Sequence, residues 1–490
     1  MATFDPQFDD LAATKRPINR STVNESMAAT TGAGRKKVLV LLPLEVAGSK
    51  TDADLVEGLT ADLVLSYFGR VALQMMANPQ GRGLFYENPT CDLDAIAVAE
   101  ADAGTAATYT ITFETTAIAD GSARVWLGDY YVDFSILDED TADEIATACA
   151  AAITADSYAP FTAAAVEAVV TVTYAFKGAM GNDCTPEVVM PDVSTTATVA
   201  AGVTGATDPT IDSTYTDLYK MTDYDLILVP WLATDDDVEH METVATFMAN
   251  GEQGRGALHV GCIRDTYSNF ITWTAARNRK DFAVLFQLSS LPWLTPPHNR
   301  AAYEVGVVSA EQNPSVPFQD ELRSRVKLGA AWARPTTYDT TIENVLAHGG
   351  SIDDLDGSSG DVKIERLIST KTKLVSGVES DAYESVHIFF VEKFIRQAVL
   401  DHLDTIYDSR AKKKMVDGKL GDVKGQIVSV LSLYANPPYE YLSASTLAEN
   451  LGSIVVQKDP LNRKRIQIGI PNPIIDESLG VDVEFFKINP

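Results

Sequence analysis

Basic residues, cysteines and long apolar runs are scarce in this 490-residue sequence, and each shortage excludes a class of protein. It has 39 basic against 68 acidic residues, a formal charge of −29, which argues against general nucleic-acid binding and against residence on an anionic membrane. No stretch approaches about 18 uninterrupted apolar residues, so no membrane-spanning helix is predicted. Met1–Arg20 carries acids and no apolar run, so we expect no secretory signal. The four cysteines are scattered without a C-x-x-C pair, which suits a reducing compartment and predicts neither a disulfide framework nor a metal site.

The charge is unevenly distributed along the chain. Cys91–Lys220 holds 21 acidic and 3 basic residues, a net charge of −18. Asp361–Pro490 holds 18 acidic and 17 basic residues, a net charge of −1. The first segment is typical of a solvated outer module, and the second predicts a surface that can hold an acidic partner.

An α/β core begins near residue 36 and is then interrupted. Lys37–Pro43 is a continuous apolar run, which is typical of a strand buried on both faces. Helical spacing follows over Asp54–Phe68 and Val71–Ala77, and Gly83–Glu87 is predicted as the next strand.

Between about Asn88 and Asp217 the composition shifts to Ala, Thr, Val and Asp, and the hydrophobic period falls to two. This pattern predicts a small β-rich insertion whose ends lie close together and which the core could lose without unfolding. Its expected elements are strands at Thr108–Phe113, Arg124–Leu127, Tyr130–Ile136 and Ala168–Phe176, and a helix at Ala142–Ile153.

The core pattern resumes after the insertion. Apolar strands alternating with helices predict a mainly parallel sheet covered by helices. The strands are expected at Tyr224–Pro230, Ala257–Gly261 and Phe282–Phe286, and the helices at Asp235–Ala249 and Asn269–Arg279. Residues 336–360 are rich in Gly and Asp and are predicted to be a hinge.

The last part of the chain predicts an α+β domain. Its expected helices are His387–Tyr407, Val423–Tyr434 and Ser443–Leu451, and its expected strands are Val362–Ile368, Ser453–Gln457, Arg465–Ile470 and Val481–Ile488. The predicted fold class is therefore α/β, or multi-domain α+β over the whole chain. The predicted domains are an extended N-terminal arm at 1–35, an α/β core at 36–87 plus 221–350, an acidic β-rich insertion at 88–220, a C-terminal α+β domain at 361–480 and a C-terminal strand arm at 481–490.

Motifs for catalysis or for cofactor and metal binding are weak. Gly251–Gly256 follows a predicted helix, whereas a phosphate loop follows a strand. His259 and Cys262 lie three apart on a predicted strand and point to opposite faces, so core packing is the better interpretation. Ser409 and Lys412 have a nucleophile-and-base spacing, but they lie in a charged loop. The sequence predicts no catalytic residue, cofactor or metal, and hence no enzyme; an α/β enzyme with an unrecognised site is the alternative.

The two arms are the more informative segments. Residues 1–35 are either a frayed tail or an arm that becomes ordered on a neighbour. Val481–Ile488 alternates apolar and polar residues and is either an edge strand of its own domain or a strand donated to another chain. The residues expected to mediate strand exchange between subunits are Ile18, Val23, Val481, Val483, Phe485 and Ile488.

A basic cluster stands out in the near-neutral C-terminal domain. It is either a solvated loop or a contact with a partner or a neighbouring subunit. Its members are Arg410, Lys412, Lys413, Lys414, Lys419 and Lys424.

Six short motifs, taken in order along nearly the whole chain, resemble those of contractile tail sheath proteins of Mu-like myophages. They are Val23–Ala29, Tyr67–Arg70, Tyr174–Asp183, Asp223–Pro230, Arg366–Thr370 and Asp459–Arg463. Two departures occur: Val71 stands where the family has a glycine after Phe-Gly-Arg, and Leu461 is additional in the Asp-Pro-Asn-Arg turn.

The resemblance implies a structural protein that polymerises as stacked six-subunit rings around an inner tail tube and contracts to drive the tube through a target envelope. The implied partners are other copies of the chain, the inner tail tube protein, and baseplate and tail terminator proteins, with no direct nucleic-acid contact and no membrane insertion. The implied location is the virion tail, assembled in the host cytoplasm. The insertion would face outward, and the C-terminal domain with its basic cluster inward toward the tube. A baseplate or adhesion component of the same particle is the alternative.

Overall fold

The computed structural model describes residues 35–45, 48–190, 195–230, 235–249, 256–318, 326–330, 332–355, 362–373, 377–379, 385–407, 418–458 and 466–470. Two compact units can be distinguished. The larger takes in the described residues of Thr30–Gln312 and Phe318–Glu384, and the smaller takes in Asn313–Pro317 and those of Ser385–Pro490. A mixed sheet and antiparallel sheets occur together with helices, which confirms the predicted mixed α/β, multi-domain α+β class.

The strands are β1 (Lys37–Leu44), β2 (Leu55–Val56), β3 (Asp92–Ala99), β4 (Ala106–Phe113), β5 (Gly121–Leu127), β6 (Tyr130–Ile136), β7 (Phe161–Val166), β8 (Val169–Lys177), β9 (Glu187–Val189), β10 (Ala197–Ala201), β11 (Leu226–Leu228), β12 (Leu258–Asp265), β13 (Phe282–Leu288), β14 (Ser351–Leu355), β15 (Val362–Arg366), β16 (Val455–Lys458) and β17 (Ile466–Gly469).

The helices are α1 (Ala61–Phe68), α2 (Arg70–Ala77), α3 (Leu84–Glu87), α4 (Ala142–Ala155), α5 (Ser213–Tyr219), α6 (Asp235–Ala249), α7 (Tyr267–Arg277), α8 (Pro297–Ala310), α9 (Tyr338–Ala347), α10 (Val386–Tyr407), α11 (Gly418–Tyr434) and α12 (Ala444–Asn450). None of these helices, over the residues described, is both long and apolar enough to cross a bilayer.

An eight-stranded sheet forms the centre of the larger unit, in the order β15-β14-β13-β12-β11-β1-β3-β2. Pairing is parallel from β3 through β14, and antiparallel strands β2 and β15 close the two edges. Val38, Val40 and Leu42 of β1 are fully buried, as a continuous apolar run in a sheet covered on both faces requires. The predicted mainly parallel core is confirmed.

The strand predicted at Gly83–Glu87 is wrong, since these residues form the short helix α3. The core strand is β3, which lies inside the range assigned to the insertion. Asp92 and Asp94 interrupt the apolar pattern of this strand, so the sequence did not predict it. Asp94 is nevertheless buried, because Lys37 Nζ lies 2.8 Å from its carboxylate and the Tyr224 hydroxyl donates to it at 2.8 Å. The insertion therefore starts after Ala99, and replacing the whole of 88–220 would remove a strand of the core.

The hinge predicted at 336–360 is also wrong, because this region contains α9 and β14. β14 pairs in parallel with β13, and β15 pairs antiparallel with β14. The strand predicted to open the last domain at residue 361 thus belongs to the core sheet. Similarly, the helix predicted from Asp54 starts only at Ala61, since Leu55–Val56 pairs with β3 as β2.

The insertion consists of two antiparallel sheets, ordered β10-β4-β8-β7 and β6-β5-β9, with α4 packed against strands of both. α4 begins with a capping box, in which Thr141 and Glu144 satisfy each other's backbone N–H groups. The chain enters and leaves the insertion at one point, where Thr105 N donates to Ala206 O at 3.0 Å and Ala206 N donates to Thr105 O at 3.1 Å. The segments that lie side by side are thus at 105 and 206, and the closeness expected of the ends at 88 and 220 stays a prediction.

The insertion and the sheet share one buried hydrophobic cluster rather than two. Leu39 and Ile96 of the sheet belong to the same cluster as Phe113 and Phe161 of the insertion. The insertion therefore packs on the core sheet through a shared apolar interior, and its standing as a separate domain stays a prediction.

The smaller unit is built from α10, α11, α12 and the antiparallel β16–β17 pair, close to the predicted bounds. Val391 and Ile395 of α10 pack in one core with Ile427 and Leu431 of α11. This spacing of three to four residues is the helical period on which the prediction rested.

Candidate functional site

Most residues assigned a role from the sequence lie outside the described residues. These are Ile18, Val23, Val481, Val483, Phe485, Ile488, Arg410, Lys412, Lys413 and Lys414. Lys419 lies in α11, where its side chain is outside the description, and Lys424 is half-buried on the same helix. Strand exchange and the basic contact therefore stay predictions.

The Phe68–Arg70 motif is a tight turn between α1 and α2 that closes on Glu45, the residue after β1. The Glu45 carboxylate accepts from Val71 N at 2.6 Å and from Arg70 Nε at 3.2 Å, while Glu45 N donates to Phe68 O at 2.9 Å. Burial raises the pKa of the Glu45 carboxyl, and these N–H donors and the Arg70 charge oppose that rise. Gly69 has φ of 107°, and a Cβ there would meet Glu45 at 2.7 Å, so this position requires glycine.

The Gly178–Asp183 turn fastens the two ends of the insertion together. The Asp208 carboxylate accepts from Ala179 N at 2.7 Å. Asn182 donates to Gly205 O at 3.0 Å and accepts from Gly205 N at 2.7 Å. The motif therefore fixes the segment that leaves the insertion against the end of β8.

Helix α8 lies at the joint between the insertion and the core, and it is buried along most of its length. The insertion contributes Asp129, at the turn between β5 and β6. Asn299 Nδ2 donates to Asp129 Oδ1 at 2.8 Å, and the Tyr303 hydroxyl donates to Asp129 Oδ2. Arg82, from the α2–α3 connection, donates to the Asp129 carbonyl oxygen. Burial raises the pKa of the Asp129 carboxyl, and its donors reduce that rise.

Arg300, the residue after Asn299 on α8, forms a buried ion cluster. Its guanidinium donates to both oxygens of Asp353, at 2.9 and 2.6 Å, and to Glu304 Oε2 at 2.9 Å. Burial alone would lower the Arg300 pKa, but the two carboxylates hold it above its ordinary value. The cluster fixes α8 to β14 of the core sheet.

A cavity of about 150 Å³ lies at the carboxyl ends of β11 and β12, where ligands commonly bind in α/β sheets. Its cation, Arg264, is already used: it donates to Asp183 O at 2.8 Å, Gln287 Oε1 at 3.0 Å and Thr295 O at 2.9 Å. His298 contacts the Tyr174 hydroxyl at 3.2 Å, and burial lowers the His298 pKa to about 3. The arrangement therefore supports packing of the insertion on the core rather than acid–base chemistry near neutral pH.

His259 and Cys149 lie in the core, and Cys91 is half-buried. His259 is buried and stacks on Phe282 with ring centroids 4.6 Å apart, and burial lowers the His259 pKa to about 4. Burial raises the pKa of Cys91 and Cys149 to about 12, so these thiols stay protonated near neutral pH. Within the described ranges, no group of three or more His, Cys, Asp or Glu side chains is placed to hold a metal ion.

The joint on α8 was missed in the sequence. Arg300, Glu304 and Asn299 are polar residues of the kind usually exposed, so no apolar stripe marks the helix. One signal was available, since Pro296 and Pro297 precede a proline-free run and proline is common at the first helical position.

No known protein family matches the sequence, and no curated protein is similar to it. Solved structures match at low identity and low TM-score, and three of them are as follows. The sheath tail protein from Desulfitobacterium hafniense is 11% identical, with a TM-score of 0.45 and coverage of 86% of this chain and 90% of that one. The sheath tail protein from Listeria innocua is 12% identical, with a TM-score of 0.41 and 88% coverage of both chains. The helical sheath of the anti-feeding prophage in its contracted state is 9% identical, with a TM-score of 0.45 and coverage of 97% and 99%. At these values the likenesses establish neither family membership nor function.

Proposed function

We propose that this chain is a structural protein of a contractile tail sheath, which polymerises as stacked six-subunit rings around an inner tail tube and contracts to drive the tube through a target envelope. The order of the six sequence motifs carries the proposal. Four of them lie among the described residues, and all four lie in the larger unit. Two of these, Phe68–Arg70 and Gly178–Asp183 within Tyr174–Asp183, form the turns described above.

The other two motifs belong to the core sheet. Asp223–Pro230 contains β11, which pairs with β1 and β12. Arg366–Thr370 runs from β15 past the first residues of β14 and β13, where Ser351 Oγ accepts from Ile368 N at 2.9 Å and Thr370 N donates to Phe282 O at 2.9 Å. Motifs that hold a sheet, its insertion and its connecting turns together suit a subunit that must carry mechanical load.

Strand exchange through the two arms is the proposed link between subunits. Val481–Ile488 and a stretch within 18–28 would each add a strand to a sheet of another copy, with Val481, Val483 and Phe485 setting the register. The β16–β17 sheet supports this proposal, because it has two strands and neither outer edge is paired by another strand among the described residues. Such edges accept added strands.

The proposed partners beyond other copies are the inner tail tube protein, the baseplate and the tail terminator. The basic cluster at 410–424 would contact the tube or a neighbouring subunit. The particle would be a virion tail assembled in the host cytoplasm, with the acidic insertion facing outward.

Electron microscopy of the purified full-length protein tests the proposal. Long tubes or striated polysheaths are the expected result. Compact particles under conditions of high concentration and moderate salt would contradict it, and they would favour the enzyme alternative. Discrete rings or wedges that never elongate would instead favour the baseplate alternative.

A further inference from the structure

The four-stranded sheet of the insertion, β10-β4-β8-β7, is almost free of charge inside a strongly acidic segment. Cys91–Lys220 carries a net charge of −18. Lys177, the last residue of β8, is nevertheless the only charged residue in the four strands. The solvent-facing positions are mainly threonine and alanine, such as Thr162, Ala164, Thr171 and Ala200.

The two outer strands of this sheet carry none of the charged residues or prolines that normally block edge-to-edge pairing. β7 reads Phe-Thr-Ala-Ala-Ala-Val and β10 reads Ala-Thr-Val-Ala-Ala, with no lysine, proline or acid in either. By contrast, β15, an edge strand of the core sheet, carries Lys363, Glu365 and Arg366. An acidic module that keeps only these two edges neutral favours contact there and repels it elsewhere.

Backbone groups on both edges point outward at alternate residues. Glu114 N donates to Thr196 O, which makes 196 and 114 a hydrogen-bonded pair, so the groups of 197, 199 and 201 face away from β4. In the same way, Ala175 N donates to Pro160 O, so the groups of 161, 163 and 165 face away from β8. Thr154 of α4 donates to Ala163 O at 3.1 Å, so that outward carbonyl accepts a side-chain donor that an incoming strand could replace.

Strand direction decides how two copies could meet. Each neighbouring pair in the sheet is antiparallel, so β10 and β7 run in opposite directions. A second copy in the same orientation would therefore place its β10 antiparallel to β7 of the first. This contact uses different surfaces on the two copies, so it can repeat from copy to copy, in a closed ring or in an open array.

We propose that β10 of one copy pairs antiparallel with β7 of the next, which joins the insertions of neighbouring copies into a continuous sheet. The pairing goes beyond the sheath role and does not depend on it. The backbone groups of Ala164 bond to β8, and those of Ala200 bond to β4. Across the new junction these two residues would therefore form a non-hydrogen-bonded pair. Opposite Cα atoms at such positions lie about 4.5 Å apart, within the range of about 4.4–6.8 Å that a disulfide spans.

Disulfide trapping between two differently tagged full-length chains tests the pairing. One chain carries Ala164→Cys and the other Ala200→Cys, and both positions are exposed alanines. Mixing them under mild oxidation should give about tenfold more crosslinked heterodimer than mixing Thr171→Cys with Ala200→Cys, since Thr171 is exposed on the inner strand β8. The unsubstituted chain gives the background from native cysteines, of which Cys149, Cys184 and Cys262 are buried.

Crosslinking of either cysteine chain with itself, in preference to the mixture, would overturn the proposal in favour of a two-fold contact. A mixture no better than the Thr171 control would also overturn it. Adding Val199→Pro to the Ala200→Cys chain should abolish the crosslink, because it removes an outward N–H and leaves the ladder to β4 intact. If the proline variant fails to fold by circular dichroism, Thr198→Lys takes its place, and an undiminished crosslink there contradicts the pairing.

The two proposals fail separately. Tubes that form without the crosslink would contradict the β10–β7 pairing and would still support the sheath role. The crosslink without tubes would support the pairing and contradict the sheath role.

Discussion

Two buried aspartates, Asp353 and Asp129, contact helix α8, and each is stabilised by a different kind of partner. Asp353 is neutralised by a cation, because Arg300 donates to both of its oxygens. Asp129 has no ion pair at its carboxylate among the described residues, and this carboxylate accepts from the neutral donors Asn299 and Tyr303. Burial raises its pKa, and the nearby Arg82 charge opposes that rise more than either of these donors does. The first site depends on its cationic partner. The second can keep a proton instead, so its stability depends on pH.

The largest effect is expected at the ion cluster. Arg300→Met leaves Asp353 and Glu304 buried without a cation, which should lower the free energy of unfolding by about 3–5 kcal/mol. Urea denaturation followed by fluorescence measures this. The matched control is Arg334→Met, which removes partly exposed pairs with Asp339 and Asp354 and should cost about 0–1 kcal/mol. Equal losses in the two variants would mean that the buried cluster contributes no more to the free energy of unfolding than the partly exposed pairs.

Asp129→Ala should cost less than Arg300→Met. It leaves the Tyr303 hydroxyl and the Asn299 amide buried without an acceptor, a loss of about 2–3 kcal/mol. Asp129→Asn keeps the shape and one oxygen, and its new amide can serve Asn299 Oδ1, which has no hydrogen-bond partner among the described residues. We therefore expect the asparagine variant to lose clearly less than the alanine variant in the same urea titrations.

The pH dependence sharpens the comparison. Because the folded pKa of Asp129 is raised, its protonated form stabilises the fold fully below the unfolded pKa of about 3.9, and this contribution is lost as the pH rises through the folded pKa. Relative to wild type, Asp129→Asn should therefore become more stable as the pH rises from about 4 to 7. A difference that stays flat or falls over this range would show that Asp129 is ionised in the fold.

A third buried acid, Glu45, depends on backbone geometry. Gly69→Ala forces a side chain into a glycine-only conformation and onto the Glu45 carboxylate, at an expected cost of about 1–3 kcal/mol. Gly58→Ala is the control, since Gly58 also has positive φ but open space around it, and about 1 kcal/mol is expected. Thermal unfolding of the two variants side by side measures the difference, and a Gly58→Ala loss as large as that of Gly69→Ala would contradict the contact.

The smallest effect is expected at an exposed acid. Arg124 donates to both oxygens of Asp133, at 2.7 and 2.9 Å, with both side chains substantially exposed. Asp133→Asn should change the free energy of unfolding by about 0–1 kcal/mol, and high salt should reduce that difference further. A loss above that of Asp129→Ala would reverse the ranking by burial.

The elements that the sequence predicted are those in which buried positions carry apolar side chains. β1 is apolar throughout because both faces are buried, and α10 shows a clean helical period. Three of the elements that were not predicted share one cause, namely buried polar side chains with charged partners elsewhere in the chain. A charged residue interrupts the apolar pattern in each case: Asp94 in β3, Asp353 in β14, and Arg300 with Glu304 in α8. Their partners lie tens of residues or more away in most cases, so no local pattern could reveal them. The arms and most of the basic cluster lie outside the described residues, so their assignment stays a prediction.

The joining of Thr105 to Ala206 also bears on how the chain folds. Lys37 N bonds Asp225 across 188 positions, so β1 and β11 must meet over a very long loop. Closing a loop costs more entropy as the loop grows, and contacts of this separation slow folding. Once the insertion has formed its own strands and brought Thr105 beside Ala206, the loop between β3 and β11 shrinks to a short connection. Formation of the Thr105–Ala206 contact therefore lowers the entropy cost of bringing β3 and β11 into the same sheet.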